Sequence, residues 1–167
     1  MKKTIVIGLG NPIISDDSIG LRVVTELEKD FSDIPSLDFV HNYRGGISLM
    51  EEMFEYDEAI IIDAIVSDRA KPGSVYKLSI DEAVSTRNIA STHDIDLISA
   101  LKLGELGGYK LPKDIQIWGI EAKDIVTFSE DLTPELQKAL PEVVREIKAS
   151  IEKKTVEYIL ESKGGQK

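Results

Sequence analysis

The chain has 167 residues, of which 42% are hydrophobic and 30% charged, enough for one globular domain with a sizeable core and little left for a second. It carries no cysteine and a formal net charge of −10, which excludes a disulfide framework, a catalytic thiolate and thiolate metal ligation. The acidic balance also opposes nucleic acid as a partner, because that affinity comes mainly from Lys and Arg displacing phosphate counterions.

The first element expected is a buried strand over residues 4–8, running into the glycine turn Gly8-Leu9-Gly10-Asn11-Pro12 and setting Asp16 and Asp17 at a helix start. The following helix shows Ile19, Val23, Val24, Leu27 and Phe31 at helical spacing, with Arg22, Glu26 and Glu28 facing out. Strand-like runs follow at residues 37–41, 59–62, 75–79 and 115–120. A short helix is placed between the first two of these, over residues 48–54 after Gly45-Gly46. Pro72-Gly73 is read as a turn before an edge-like strand, and Leu97, Ile98 and Leu101 stripe a helix that ends near Gly104. The last helix opens at Thr133-Pro134-Glu135, with Thr as cap and Pro at the first helical position, and Pro141 is expected to kink or divide it.

Strands alternating with helices argue for βαβ units, hence an α/β fold: a three-layer helix/sheet/helix sandwich around a mostly parallel five-stranded sheet. Residues 1–161 are read as one domain and 162–167 as a flexible tail. No run approaches the roughly 18 to 20 apolar residues of a membrane span, and the Met-Lys-Lys start shows no cleavable signal pattern, so no membrane association and a cytoplasmic location are expected.

In an open parallel sheet, ligands bind beyond the carboxyl ends of the strands, where loops diverge and helix N-termini converge. Gly8-Leu9-Gly10 begins like a dinucleotide fingerprint, but Ile13 stands where the third glycine belongs, and a pyrophosphate would face Asp16 and Asp17; no nucleotide cofactor is expected. Either aspartate alone could simply complement a helix dipole, worth about 0.3–1 kcal/mol. Asp63 ends an almost continuous apolar run, so its carboxylate should lie on the crevice floor, where burial demands a hydrogen-bonding, cationic or metal partner; capping the next loop is the other reading. His93 lies between Ser91 and Asp94, which fit a capping box that would put the imidazole in a first helical turn and favour its neutral form. His41 reads as structural or as supporting other site residues.

Asp17, Asp63 and His93 could converge on one point with two oxygens, one nitrogen and an open position, as a catalytic or substrate-borne metal needs. A Ser-His-Asp hydrolase using Ser15 or Ser91 is the rival, and no Gly-x-Ser-x-Gly elbow supports it.

The ordered set Gly8-Leu9-Gly10-Asn11-Pro12, Ser15-Asp16-Asp17, Gly20, Gly45-Gly46, Asp63-Ala64, Ser91-Thr92-His93-Asp94 and Leu132-Thr133-Pro134-Glu135 resembles the [NiFe]-hydrogenase maturation endopeptidases over nearly the whole chain. The resemblance implies an enzyme that removes a short C-terminal extension from the hydrogenase large-subunit precursor after nickel insertion. It also implies contacts to the substrate-borne nickel from Asp17, Asp63 and His93, the same residues acting in cleavage. The chain departs from the family pattern at Ser18, where glycine is frequent, and at Gly119-Ile120-Glu121-Ala122, where a proline-containing segment is common. Two other readings remain at this point, a nickel- or precursor-binding chaperone that does not cut, and peptidyl-tRNA hydrolase. The latter shares Gly-Leu-Gly-Asn-Pro but continues with a histidine-containing segment that this chain lacks.

Overall fold

A computed structural model describes residues 2–67, 69–83 and 96–164, with side chains through residue 154. Five strands form one sheet: β1 (Thr4–Leu9), β2 (Leu37–Asn42), β3 (Glu58–Ile65), β4 (Val75–Leu78) and β5 (Asp114–Glu121), in the order β2-β1-β3-β5-β4. The first four in that order run parallel, and β4 joins β5 antiparallel at the edge. The mostly parallel five-stranded α/β sandwich expected from the alternation is therefore what forms.

Period-two alternation sorts the strand side chains between two cores. Val6, Ile60, Ile62, Ala64, Trp118 and Ile120 face α1 (Ile19–Phe31) and α5 (Pro134–Gly164). Ile5, Ile7, Leu9, Ala59, Ile61 and Ile117 face α2 (Gly46–Glu52) and α4 (Leu97–Leu106). A four-residue turn of helix, α3 (Ile80–Ala83), follows β4. Helix α1 buries Ile19, Val23, Val24, Leu27 and Phe31, the stripe read from the sequence.

The bounds of the second helix are corrected, and of the two outcomes expected at Pro141 division of the last helix does not occur. The short second helix starts at Gly46 and ends at Glu52, displaced two residues toward the N-terminus. Helix α5 is one element through Pro141. Pro141 and Gln137 are both exposed, so water can satisfy the Gln137 carbonyl that loses its donor. Buried Leu136, Val143, Ile147 and Ile151 hold the helix to the sheet on either side.

Chain order reverses between β1 and β3: from β1 the sheet grows outward to β2 on one side and to β3 and β5 on the other. That is the topological switch point, and the crevice of such a sheet opens beyond the carboxyl ends of the two strands flanking it.

Candidate active site

At the carboxyl end of β1 the chain turns at Gly10, whose φ of +153° suits glycine. A Cβ on Gly10 would lie 2.0 Å from the Asp17 carbonyl oxygen, so this turn packs directly against the backbone of Asp17. A single 3-10 turn (Ser15–Ser18) leads directly into α1. Gly20 then lets the helix start sit on the sheet edge: a Cβ there would meet the carbonyl oxygens of Ile62 at 2.3 Å and Leu9 at 2.5 Å. Asp17 is one helical turn before Gly20 and Asp63 follows Ile62, so this contact brings both aspartates to the switch point. Asp17 is buried and its Oδ2 accepts the Asn11 N–H at 3.0 Å.

Asp63 is fully buried inside β3, paired in register with Gly119. The strand continues to Ile65, so the carboxylate stands within the strand, two residues before its end. By alternation it projects on the face of Ile61, toward α2 and α4. Neither Asp17 nor Asp63 is without a partner. His93, with Ser91 and Asp94, lies outside the described residues; α4, the helix striped by Leu97 and Leu101, is capped by Asp96, whose side chain accepts the Ser99 N–H at 2.9 Å. Among the described residues no group of three His, Cys, Asp or Glu side chains is arranged to hold a metal ion.

Asp16 has a different fate from its neighbour. Fully buried, it accepts four hydrogen bonds: from the backbone N–H groups of Lys123 (3.0 Å), Asp124 (2.9 Å) and Thr133 (2.7 Å), and from the Thr133 hydroxyl (3.0 Å). It is a staple joining both ends of the β5–α5 connection to the turn that carries Asp17. Ser15 serves the same connection, its N–H bonded to the Ser129 carbonyl at 2.8 Å and its hydroxyl donated to the Asp131 carbonyl at 3.2 Å. A hydroxyl committed to a carbonyl acceptor is a poor nucleophile, which counts against Ser15 in the serine hydrolase reading; Ser91, its other candidate, lies outside the described residues.

Two further polar residues at this edge escaped the sequence reading. Glu121, one of the positions that departs from the family pattern, is buried at the end of β5 and accepts the Ser67 N–H at 2.8 Å and the Ser67 hydroxyl at 2.5 Å. It thereby fixes the loop leaving β3, four residues after Asp63. Asn42, buried at the end of β2, accepts the Arg44 N–H on Oδ1 at 2.9 Å, and its backbone carbonyl receives the Gly10 N–H at 3.2 Å. Runs of apolar residues had drawn the strands, but polar residues one step beyond each run tie the loops. His41 is structural: its Nε2 lies 2.9 Å from the Thr25 hydroxyl on α1, and that hydroxyl donates to Leu21, so the ring nitrogen is the donor.

In the β5–α5 connection, Asp124 receives the N–H groups of Val126 (3.0 Å) and Thr127 (2.9 Å). The hydrogen bond from the Thr127 side chain, then those from the two amides, holds its carboxyl below the ordinary aspartate value.

Comparisons with known proteins place the chain in a family. The family model for hydrogenase maturation proteases of the HycI type matches residues 21–150. The hydrogenase 2 maturation protease of Escherichia coli K12 is 28% identical over 159 residues, covering 94% of this chain and 95% of that protein. The coenzyme F420 hydrogenase subunit delta of Methanothermobacter thermautotrophicus is 29% identical over 153 residues, 86% of this chain and 90% of that one. In fold, the chain is similar to the hydrogenase maturating endopeptidase HybD from E. coli, with a TM-score of 0.73 at 23% identity over 91% of this chain and 93% of that chain. The chain belongs to the hydrogenase maturation protease family and, by that membership, is a peptide hydrolase.

Proposed function

We propose that this protein removes a short C-terminal extension from a [NiFe]-hydrogenase large-subunit precursor after nickel insertion, acting in the cytoplasm as a single domain of residues 1–161 with a terminal tail. Nickel is part of the substrate, and Asp17, Asp63 and His93 meet it there. The observation that carries this reading is the pair of buried aspartates brought to the switch point from the two flanking strands by the glycine contact at Gly20.

The donor set suits that cargo. Carboxylate and imidazole are acceptable ligands for a divalent nickel ion already held by the precursor's thiolates, and a chain with no cysteine of its own does not compete for it. Recognition then doubles as a test of readiness, because a precursor without nickel lacks the anchor. In the chemical step, water adds to the scissile carbonyl carbon, a carboxylate of the pair takes the water proton, and that proton passes to the departing amide nitrogen as the C–N bond breaks. Nucleic acid is no part of this reading. Among the described residues no helix is long and apolar enough to cross a membrane.

The test is incubation with nickel-loaded and nickel-free precursor, read by mass spectrometry. Loss of a C-terminal peptide from the loaded form alone is the expected result. Equal cutting of both forms would overturn the nickel-recognition part, and binding without any mass loss would replace the protease reading by that of a chaperone.

A further inference from the structure

Among the described residues eight large apolar side chains are exposed, and five of them lie in loops leaving the carboxyl ends of the four parallel strands. Ile13 (49% exposed) follows β1, Tyr43 (62%) follows β2, Val66 (47%) follows β3, and Val126 (69%) and Phe128 (80%) follow β5. Every parallel strand thus contributes to an apolar rim at the edge where Asp17 and Asp63 are buried.

The rim is not loose chain. Ile14 is bridged to Phe128 and Ser129, and the Ser129 N–H is donated to the Ile13 carbonyl at 3.1 Å. The Asp16 staple, the Ser15 hydroxyl and the Asp124 turn pin the connection that displays Val126 and Phe128. Polar side chains are buried here in order to fix loops whose large apolar side chains are left in water, the reverse of the usual arrangement and the mark of an interaction surface.

We infer that this rim is the docking surface for the folded body of the precursor, seating apolar residues of the polypeptide around the crevice while the buried aspartates face its cleavage site. The inference rests on the reading under Proposed function and adds the contact surface to it. The occupant follows from continuity: Ile13 lies four residues before Asp17 in a segment bonded to the same staple, so a polypeptide reaching the switch point must cross the rim. A protease acting on a protein also needs contact area beyond the scissile bond, and well-packed aromatic and aliphatic anchors are where such binding energy concentrates.

The experiment measures cleavage of nickel-loaded precursor by wild type, by the double variant V126S/F128S and by Tyr43→Ser on a separate loop, with Leu106→Ser on α4 as control. Binding to nickel-free precursor and the oligomeric state by sedimentation are measured alongside. The rim predicts a rise of roughly tenfold or more in KM for the double variant, a smaller rise for Tyr43→Ser, and kcat within about twofold of wild type. It predicts the same weakening toward nickel-free precursor, and wild-type kinetics for Leu106→Ser. A wild-type enzyme that leaves the precursor intact removes the proposed function and this inference with it. A wild type that cuts, together with both rim variants at unchanged KM, overturns the rim alone. Unchanged KM with conversion of a dimer to a monomer assigns the surface to a second copy of the chain and likewise overturns it.

Discussion

The two ends of the sheet treat buried acid in opposite ways. At the amino end, Glu58 is buried under lysine: Lys2 Nζ stands 3.4 Å from one carboxylate oxygen and Lys154 Nζ 3.2 Å from the other, and Lys154 also reaches Asp114 at 2.6 Å. At the carboxyl end, Asp16 and Glu121 take their hydrogen bonds from backbone N–H groups and hydroxyls, and Asp17 accepts the Asn11 N–H. Lysine cancels charge and leaves a static surface. Amide and hydroxyl donors orient a carboxylate by geometry, and the Lys123 ammonium, paired with Glu135, reaches Asp16 only through space, an arrangement that suits the proposed site.

The sharpest way to break this contrast is to remove charge at the switch point. Asp17→Asn and Asp63→Asn should each lower precursor cleavage by about two to four orders of magnitude, the usual weight of a group acting directly on the reaction, with melting behaviour close to wild type. Either variant retaining a tenth of wild-type activity would take its residue out of the site. Asp16→Ala, one position away, should behave in the opposite sense. It leaves four donors without their acceptor and should cost about 2–4 kcal/mol of stability, read as a fall in the unfolding midpoint, while the cleavage that survives at low temperature stays within an order of magnitude of wild type.

Gly20→Ala tests whether the aspartate pair depends on the seating of α1. Its Cβ would meet two backbone oxygens, at 2.3 and 2.5 Å, so the helix start must move, at a cost of about 1–3 kcal/mol. Because that movement separates Asp17 from Asp63, cleavage should fall by more than the stability loss explains. At the amino end Lys154→Ala should act on stability alone: it takes one of two lysines from buried Glu58 and the partner of Asp114, at a cost of about 1–3 kcal/mol with Lys2 still in place, and cleavage should not change.

How far the sequence could be read follows the same divide between apolar and polar. Alternation located all five strands and the α1 stripe, because burial of Ile5 to Leu9 or Val23 to Leu27 leaves a periodic trace in the chain itself. It stopped β3 at Ile62, three residues early, since a buried aspartate interrupts an apolar run without interrupting the strand. The fate of Asp16 was closed to sequence because its donors are Lys123, Asp124 and Thr133, more than a hundred residues away. Nothing in Asp16-Asp17 distinguishes which carboxylate is consumed as a staple. Glu121 read as a departure from a pattern, and its partner Ser67 is found only when β3 and β5 are laid side by side.

Acid and salt together give the smallest and most selective comparison, using one half-buried aspartate at each end. Asp57 at the amino end is held below the ordinary carboxyl value of 3.8 first by the Lys3 N–H and then by Lys110, whose Nζ lies 3.1 Å away. Asp124 at the carboxyl end is held below 3.8 by Thr127 and Val126, with no charged group among the causes that lower it. In both, the folded form binds its proton less readily than the unfolded chain. The stabilisation is therefore complete above the unfolded value and is lost as pH falls through the folded one, below about 4. Hydrogen exchange of the Val126 and Thr127 amides should speed up relative to neighbouring amides across that window, and in Asp124→Asn it should show no such step. Raising the salt concentration should reduce the Asp57 contribution, part of which is an ion pair open to screening, and leave the Asp124 step in place, because a hydrogen-bonded turn has no counter-charge to screen. Equal salt sensitivity at the two positions would mean that the carboxyl end also relies on ion pairing, and the contrast between the two ends of the sheet would fail there first.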